Sequence, residues 1–308
     1  MRKLWIKRIV LGLLAISLLG TGVASFYFFH VAQVRAEKSF INNAPTAKSD
    51  PLYEDEQKFD QLFKEILWMN HQGVKQDAWY VEADQETDKT VIIVHGFTQS
   101  KEKMKAYGWL FHELGYNVLM PDNVASGDSG GRIIGYGWND RLNLIKWIDI
   151  LLERQPNSQI TLYGLSMGAA TVMMASGEKL PAQVKTIIED AGYTSVWDEL
   201  KYQAKDMYGL PAFPILYGVS SISKLRAGFS YGQASAVNQL SKNTRPTLFI
   251  HGDADDFVPT EMVYENYHAT KGPKELYIVK GAGHAKTLAK DKLAYREQIE
   301  KFLKKYEK

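Results

Sequence analysis

Gly164-Leu165-Ser166-Met167-Gly168 sets a hydroxyl between two glycines. An apolar run, Gln159-Ile160-Thr161-Leu162-Tyr163, precedes it, and small apolar residues, Ala169 to Ala175, follow. G-x-S-x-G between a strand pattern and a helix pattern is the sequence form of a sharp turn that exposes a serine nucleophile. Backbone passes so close at such a turn that the positions two before and two after Ser166 can carry almost no side chain. The helix that starts there points its first N–H groups and its positive dipole end at the hydroxyl. A serine hydroxyl is a weak nucleophile near neutral pH, so it needs a base, and the base needs an orienting acid.

The base must come from seven histidines. His30 borders a long apolar stretch, His71 and His112 lie in or beside helical patterns, and His268 lies on a helical pattern. His95 and His251 each precede a glycine at the end of a strand pattern and are read as loop-fixing residues. His284 sits in Gly281-Ala282-Gly283-His284 directly after the last strand pattern, where a side chain can reach Ser166. It is the expected base. The expected acid is Asp255, within His251-Gly252-Asp253-Ala254-Asp255-Asp256-Phe257-Val258-Pro259. Asp256 and Asp190 are the alternatives, and Asp253 is read as shaping the turn. The chain order is then Ser, Asp, His. A tetrahedral intermediate needs donors for its oxyanion. The backbone N–H of Met167 supplies one, and the turn His95-Gly96-Phe97 places that of Phe97 as the other.

These residues all fall at the ends of predicted strands. Strand patterns cover Ala78–Val81, Thr90–Val94, Asn117–Met120, Ile160–Tyr163, Val184–Ile188, Thr247–Ile250 and Glu275–Val279. Helical patterns cover Leu52–Asn70, Lys103–Leu114 and Tyr136–Leu152. Short apolar strands alternating with helices predict an α/β fold with a mostly parallel sheet and helices on both faces. Ligands bind such sheets at the carboxyl ends of the strands. The alternation breaks down near 195–240, a segment rich in aromatic residues, which is read as a small helical cap.

The 308 residues carry a formal net charge of +2 and no long basic stripe, which argues against nucleic acid as a partner. Without cysteine, no disulfide, thiolate nucleophile or Cys-based metal site can form. At the N-terminus, Arg2, Lys3, Lys7 and Arg8 precede an uncharged run from Ile9 to Phe29. As a helix these residues span roughly 31 Å, the thickness of a bilayer core. The expected organisation is a transmembrane anchor at 1–30, a stalk at 31–51 around Asn42-Asn43-Ala44-Pro45-Thr46, and a catalytic domain at 52–308. The positive-inside rule places that domain outside the cytoplasm at the cell membrane. Phe26-Tyr27-Phe28-Phe29 fits an interfacial anchor. The alternative is a cleaved signal peptide and a secreted protein.

From Trp79 onward the chain resembles the α/β-hydrolase superfamily, and within it the membrane-anchored or secreted bacterial serine hydrolases of the YqkD type. The resemblance rests on His95-Gly96-Phe97-Thr98, Gly137 to Leu142, Gly164 to Gly168, Ala191 to Trp197, His251 to Pro259 and Gly281 to His284. It departs at Val124-Ala125-Ser126-Gly127, where many relatives carry Arg-Gly-His-Gly, and the strands before Trp79 are expected to be trimmed. The residues and the resemblance together lead to a serine hydrolase acting on small-molecule esters or acyl compounds, with no metal and no organic cofactor. Peptide cleavage, acyl transfer and a non-catalytic binding role on the same fold are the alternatives.

Overall fold

The computed structural model describes residues 2–38 and 44–307. Asn42 and Asn43 of the expected stalk lie outside the described residues. Helix α1 (Arg2–Gln33) leads to α2 (Tyr53–Asp60), the strands β1 (Glu65–His71), β2 (Val74–Val81) and β3 (Lys89–Val94), then α3 (Lys105–Glu113) and β4 (Asn117–Pro121). Next come α4 (Asp140–Arg154), β5 (Gln159–Leu165), α5 (Met167–Ser176), β6 (Val184–Asp190), α6 (Val196–Tyr208), α7 (Ile215–Ala227) and α8 (Ala236–Leu240). The chain ends with β7 (Thr247–Gly252), α9 (Glu261–Ala269), β8 (Lys274–Val279), α10 (Thr287–Lys290) and α11 (Lys292–Tyr306).

The strands form one sheet in the order β1-β2-β4-β3-β5-β6-β7-β8. β2 is antiparallel to both β1 and β4, and every later pairing is parallel. Helices α3 and α11 cover one face, where Tyr107, Phe111, Tyr163, Tyr295 and Phe302 pack together. On the other face, α4 and α5 press Leu144, Trp147 and Val172 against Leu162. Successive residues on β5 thus feed opposite layers, as the two-residue period of a strand requires. The connection from β3 runs outward to β4 and then back across to β5. The strand order therefore reverses between β3 and β5, and an open parallel sheet has its crevice at such a reversal.

Three expectations need correction. The apolar spacing Phe59, Leu62, Phe63, Ile66 and Leu67 suggested one helix over Leu52–Asn70, but α2 ends at Asp60 and Ile66 and Leu67 lie on β1. Phe63 is 86% exposed, so it never served a helical apolar stripe. The β1–β2 hairpin turns through Gln72 (φ 52°) and Gly73 (φ 76°), which makes the early strands present rather than trimmed. The helix expected from Tyr136 starts at Asp140, because Tyr136 and Gly137 both have positive φ and the Asp140 carboxylate accepts the Gly137 N–H at 2.8 Å.

α1 contains the one span among the described residues, Lys3–Gln33, that is long and apolar enough to cross a membrane, with a mean hydropathy of 2.2 over its most apolar window. It differs from the expected 1–30 segment at its far end. Gln33 is fully buried, with its amide on the Ile134 carbonyl and its Oε1 accepting from Tyr231. Arg35 then bonds Ser129 and Gly127. Residues 33–35 are therefore fastened to the body and do not form a free stalk.

Candidate active site

Ser166 sits between β5 and α5 with φ 56° and ψ −115°, a conformation disfavoured for a residue with a side chain. Packing enforces it. A Cβ on Gly164 would lie 2.1 Å from the Gly168 carbonyl oxygen, and a Cβ on Gly168 would lie 2.0 Å from that of Val94. Both glycines are therefore required by close backbone approach, and the serine Oγ is thrust out over the sheet's carboxyl edge.

His284 follows β8, and Asp255 follows β7. The Nε2 atom of His284 lies 2.9 Å from Ser166 Oγ, and its Nδ1 lies 2.8 Å from Asp255 Oδ2. The other carboxylate oxygen, Oδ1, accepts the backbone N–H groups of Phe257 (3.0 Å) and Val258 (2.9 Å). Burial raises the Asp255 pKa, but hydrogen bonds from His251 and His284 outweigh it and hold the carboxyl well below the usual carboxylate range. An ionised carboxylate only accepts, so Nδ1 of His284 carries the proton and Nε2 is free to take one from Ser166. The structure thus brings Ser166, His284 and Asp255 into one chain of hydrogen bonds.

The alternative acids are engaged elsewhere. Asp190 Oδ2 accepts from Thr287 (2.6 Å) and Tyr295 (2.8 Å) inside the core, and burial pushes its pKa up to about 6. Asp256 offers its carbonyl to Tyr202, and Asp253 accepts the Gly281 N–H, tying the two loops that carry Asp255 and His284. His95 holds its loop by donating from Nδ1 to Gly96 O and accepting the Asn123 N–H on Nε2. That loop delivers Phe97 to the cavity over Ser166, with its ring stacked on Tyr136 at 5.4 Å. Met167 is the first residue of α5, so its N–H belongs to the set a helix leaves unpaired.

Two residues beside the triad of side chains escaped the sequence reading. His251 fixes its loop as expected, donating from Nε2 to Val258 O (2.9 Å), but the same atom lies 3.2 Å from Asp255 Oδ2 and so bears on the acid as well. Glu199, on α6, lines the cavity; Gln203 donates to its Oε1, while Oε2 has no partner among the described residues. Burial pushes the Glu199 pKa up to about 8, despite the Gln203 bond. No sequence signal marks it, because a carboxylate on an amphipathic helix reads as solvated.

The cavity has a volume of about 110 Å³. The cap helices α6 and α7 roof it with Leu200, Met207, Ile215 and Val219, and Ser166 lies at its floor. Its walls are predominantly apolar.

Comparison with known proteins bears on the fold and its chemistry. A family model described as "Serine aminopeptidase, S33" matches residues 85–210. The chain is 33% identical over 226 residues to "Uncharacterized protein YqkD" of Bacillus subtilis, covering 73% of this chain and 74% of that one. Among solved structures, the Pyrococcus furiosus esterase Pf2001 superposes with a TM-score of 0.65 at 24% identity, over 81% of this chain and 95% of that one. The acylaminoacyl peptidase of Pyrococcus horikoshii superposes with a TM-score of 0.59 at 18% identity, over 81% of this chain and 43% of that one.

Proposed function

The chain belongs to the α/β-hydrolase superfamily, and from that premise we propose that it is a membrane-tethered serine hydrolase that cleaves carboxylic esters through an acyl-enzyme. The observation that carries this reading is the unbroken line from Ser166 Oγ through His284 to Asp255 at the floor of an apolar cavity.

Ser166 Oγ attacks the ester carbonyl carbon as His284 Nε2 takes the hydroxyl proton. Asp255 holds the imidazole and stabilises the imidazolium. The N–H groups of Met167 and Phe97 receive the negative oxygen. His284 then returns the proton to the departing alkoxide, leaving the acyl group on Ser166. A water, deprotonated by His284, repeats the sequence and releases the acid. The residues named supply nucleophile, base and oxyanion donors, so the steps are complete without a metal or an organic cofactor.

Ester cleavage is favoured over peptide cleavage by the lining of the cavity. The predominantly apolar walls suit the acyl part of an ester and offer few partners to the polar backbone of a peptide. For location, Lys3, Lys7 and Arg8 flank the apolar span, which by the positive-inside rule leaves the N-terminus in the cytoplasm and the catalytic part outside.

The test uses the full-length protein in detergent micelles with p-nitrophenyl esters. Ser166→Ala is expected to lower kcat by at least ~10³-fold, since oxyanion stabilisation and binding supply what remains. A fluorophosphonate probe is expected to label the wild type and not the variant. Undiminished turnover in the variant would refute the nucleophile assignment.

A further inference from the structure

The apolar helix does not stop where the catalytic body begins. Its last two turns are built into the cap. Ser25 Oγ donates to Ile215 O at 3.2 Å and occupies the space that Gly218 leaves open, where a Cβ would approach that oxygen to 2.1 Å. Phe29 is fully buried, Phe28 meets the Tyr208 ring at 5.1 Å, and Tyr136 donates to Ala32 O. As a result Phe28, Val31 and Ala32 form one wall of the cavity over Ser166. The same helix that is apolar enough to cross a membrane is a side of the substrate pocket.

Length fixes where that wall sits. Residues 3–20 of α1 are exposed on all sides. The uncharged run from Ile9 to Phe29 reaches roughly 31 Å, and a bilayer core of ~30 Å takes all of it. Yet Ser25, Phe28 and Phe29 at the end of that run are already held by α6 and α7. The cap must then share the interface with them. Its outer surface agrees, because Phe213 is 73% exposed, Tyr217 54% and Tyr208 45%. Tyr217 touches both Phe213 (5.9 Å) and Trp197 (4.8 Å), so these rings form a patch and not isolated side chains. Exposed apolar patches mark membrane contacts, and Tyr and Trp concentrate at the interface. The expected aromatic anchor is thus divided, with Phe26 and Tyr27 facing outward and Phe28 and Phe29 turned into the protein.

We propose that the site draws its substrate from the bilayer, namely a long-chain acyl ester of a membrane lipid whose chain passes between the base of α1 and helices α6 and α7 to reach Ser166. This inference rests on the serine-hydrolase reading. A chain moving from the bilayer into an apolar cavity beside a membrane-embedded helix exposes almost no apolar surface to water on the way. A soluble short ester gains nothing from that route.

The full-length protein, reconstituted in vesicles of dioleoylphosphatidylglycerol with or without dioleoylglycerol, is assayed for oleate release and, in the same preparation, for p-nitrophenyl butyrate hydrolysis. Oleate release that disappears in Ser166→Ala is expected, and release from either lipid supports the inference while showing which headgroup is accepted. Val31→Trp, which fills the cavity from α1, is expected to lower the ratio of oleate release to butyrate hydrolysis at least tenfold. Met207→Trp makes the same test from the facing helix if Val31→Trp does not fold. Because the chain has no cysteine, Phe213→Cys takes a single nitroxide label. That label is expected to meet bilayer-dissolved oxygen more readily than an aqueous nickel chelate, with the reverse at Asn157→Cys beyond the amino end of β5. Butyrate turnover without oleate release, an unchanged ratio in both tryptophan variants, or a water-exposed label at 213 overturns the inference and leaves the serine hydrolase standing. No turnover of either substrate and no fluorophosphonate labelling overturns both.

Discussion

Asp255 shows how a single residue divides its work. One oxygen is locked by the Phe257 and Val258 N–H groups, and the other faces His284. Rotation of the carboxylate would break both sets of bonds, so the imidazole has one place to sit. Asp255→Asn presents an amide that cannot hold the same tautomer of His284, and kcat should fall by about 10³–10⁴-fold with the fold intact. Asp190→Asn alters a core network of Tyr163, Thr287 and Tyr295 instead, so its kcat should stay within about tenfold of wild type. Steady-state kinetics on the two variants decides between the acids, and a larger loss from Asp190→Asn would reverse the assignment. Ser166, Asp255 and His284 were legible because each lies in a short, strand-terminal motif whose backbone chemistry is local. Glu199 was not, since its burial comes from α6 lying over the cavity, a tertiary fact with no local trace.

At the scale of elements, the loops behind the His95–Phe97 turn are held by a buried cation. Lys101 Nζ lies 2.6 Å from Asp122, 2.8 Å from Asp77 and 3.0 Å from Asp128, with its side chain only 1% exposed. Asp122 also accepts the Lys101 and Asp128 N–H groups, and Gly127 is needed because a Cβ there would strike the Asp122 carboxylate. This knot joins β2, β4 and the 122–131 loop, the region where the sequence departs from Arg-Gly-His-Gly. Removing one partner of a buried ion pair leaves an uncompensated charge. Lys101→Met should therefore cost about 3–5 kcal/mol in denaturant unfolding. A loss below ~1 kcal/mol would show that the aspartates are neutralised some other way. The element-level misreadings have physical reasons of the same kind. The spacing from Phe59 to Leu67 runs across a helix–strand boundary, and the hairpin turn is Gln72-Gly73, without the Asn-Gly or Asp-Gly that announces such turns. The late start of α4 depends on positive φ at Tyr136, a residue whose type gives no hint of it.

Over the whole molecule, buried carboxyls set how stability responds to pH. Burial pushes both Glu189 and Glu199 up to about 8, against hydrogen bonds to Gly192 and Gln203 respectively. The folded protein keeps these two protons at pH values where the unfolded chain, with ordinary glutamates, has lost them. Each contributes stability that is fully present below ~4.5 and is lost as pH rises toward 8, at about 1.4 kcal/mol per pH unit per proton. Groups such as His95 and Asp255 run the other way on the acid side. Burial lowers the His95 pKa, and the depressed Asp255 favours the fold when ionised. Their stabilisation is complete by the unfolded values of ~6.5 and ~3.9, and it adds nothing further at higher pH. From pH 6.5 to 8.5 the decline is therefore left unopposed by these two groups, and the melting temperature of the full-length protein should fall across that window. Glu189→Gln reproduces the protonated form and keeps an acceptor for the Gly192 N–H. It should flatten the decline and raise the melting temperature at pH 8.5 relative to wild type. Because Glu189 is not among the residues lining the cavity, ester turnover read in parallel separates this effect from any change at the site. A melting temperature that is level or rising between pH 6.5 and 8.5 in the wild type would mean that the buried glutamates ionise without cost, and that water reaches the interior beneath the cap.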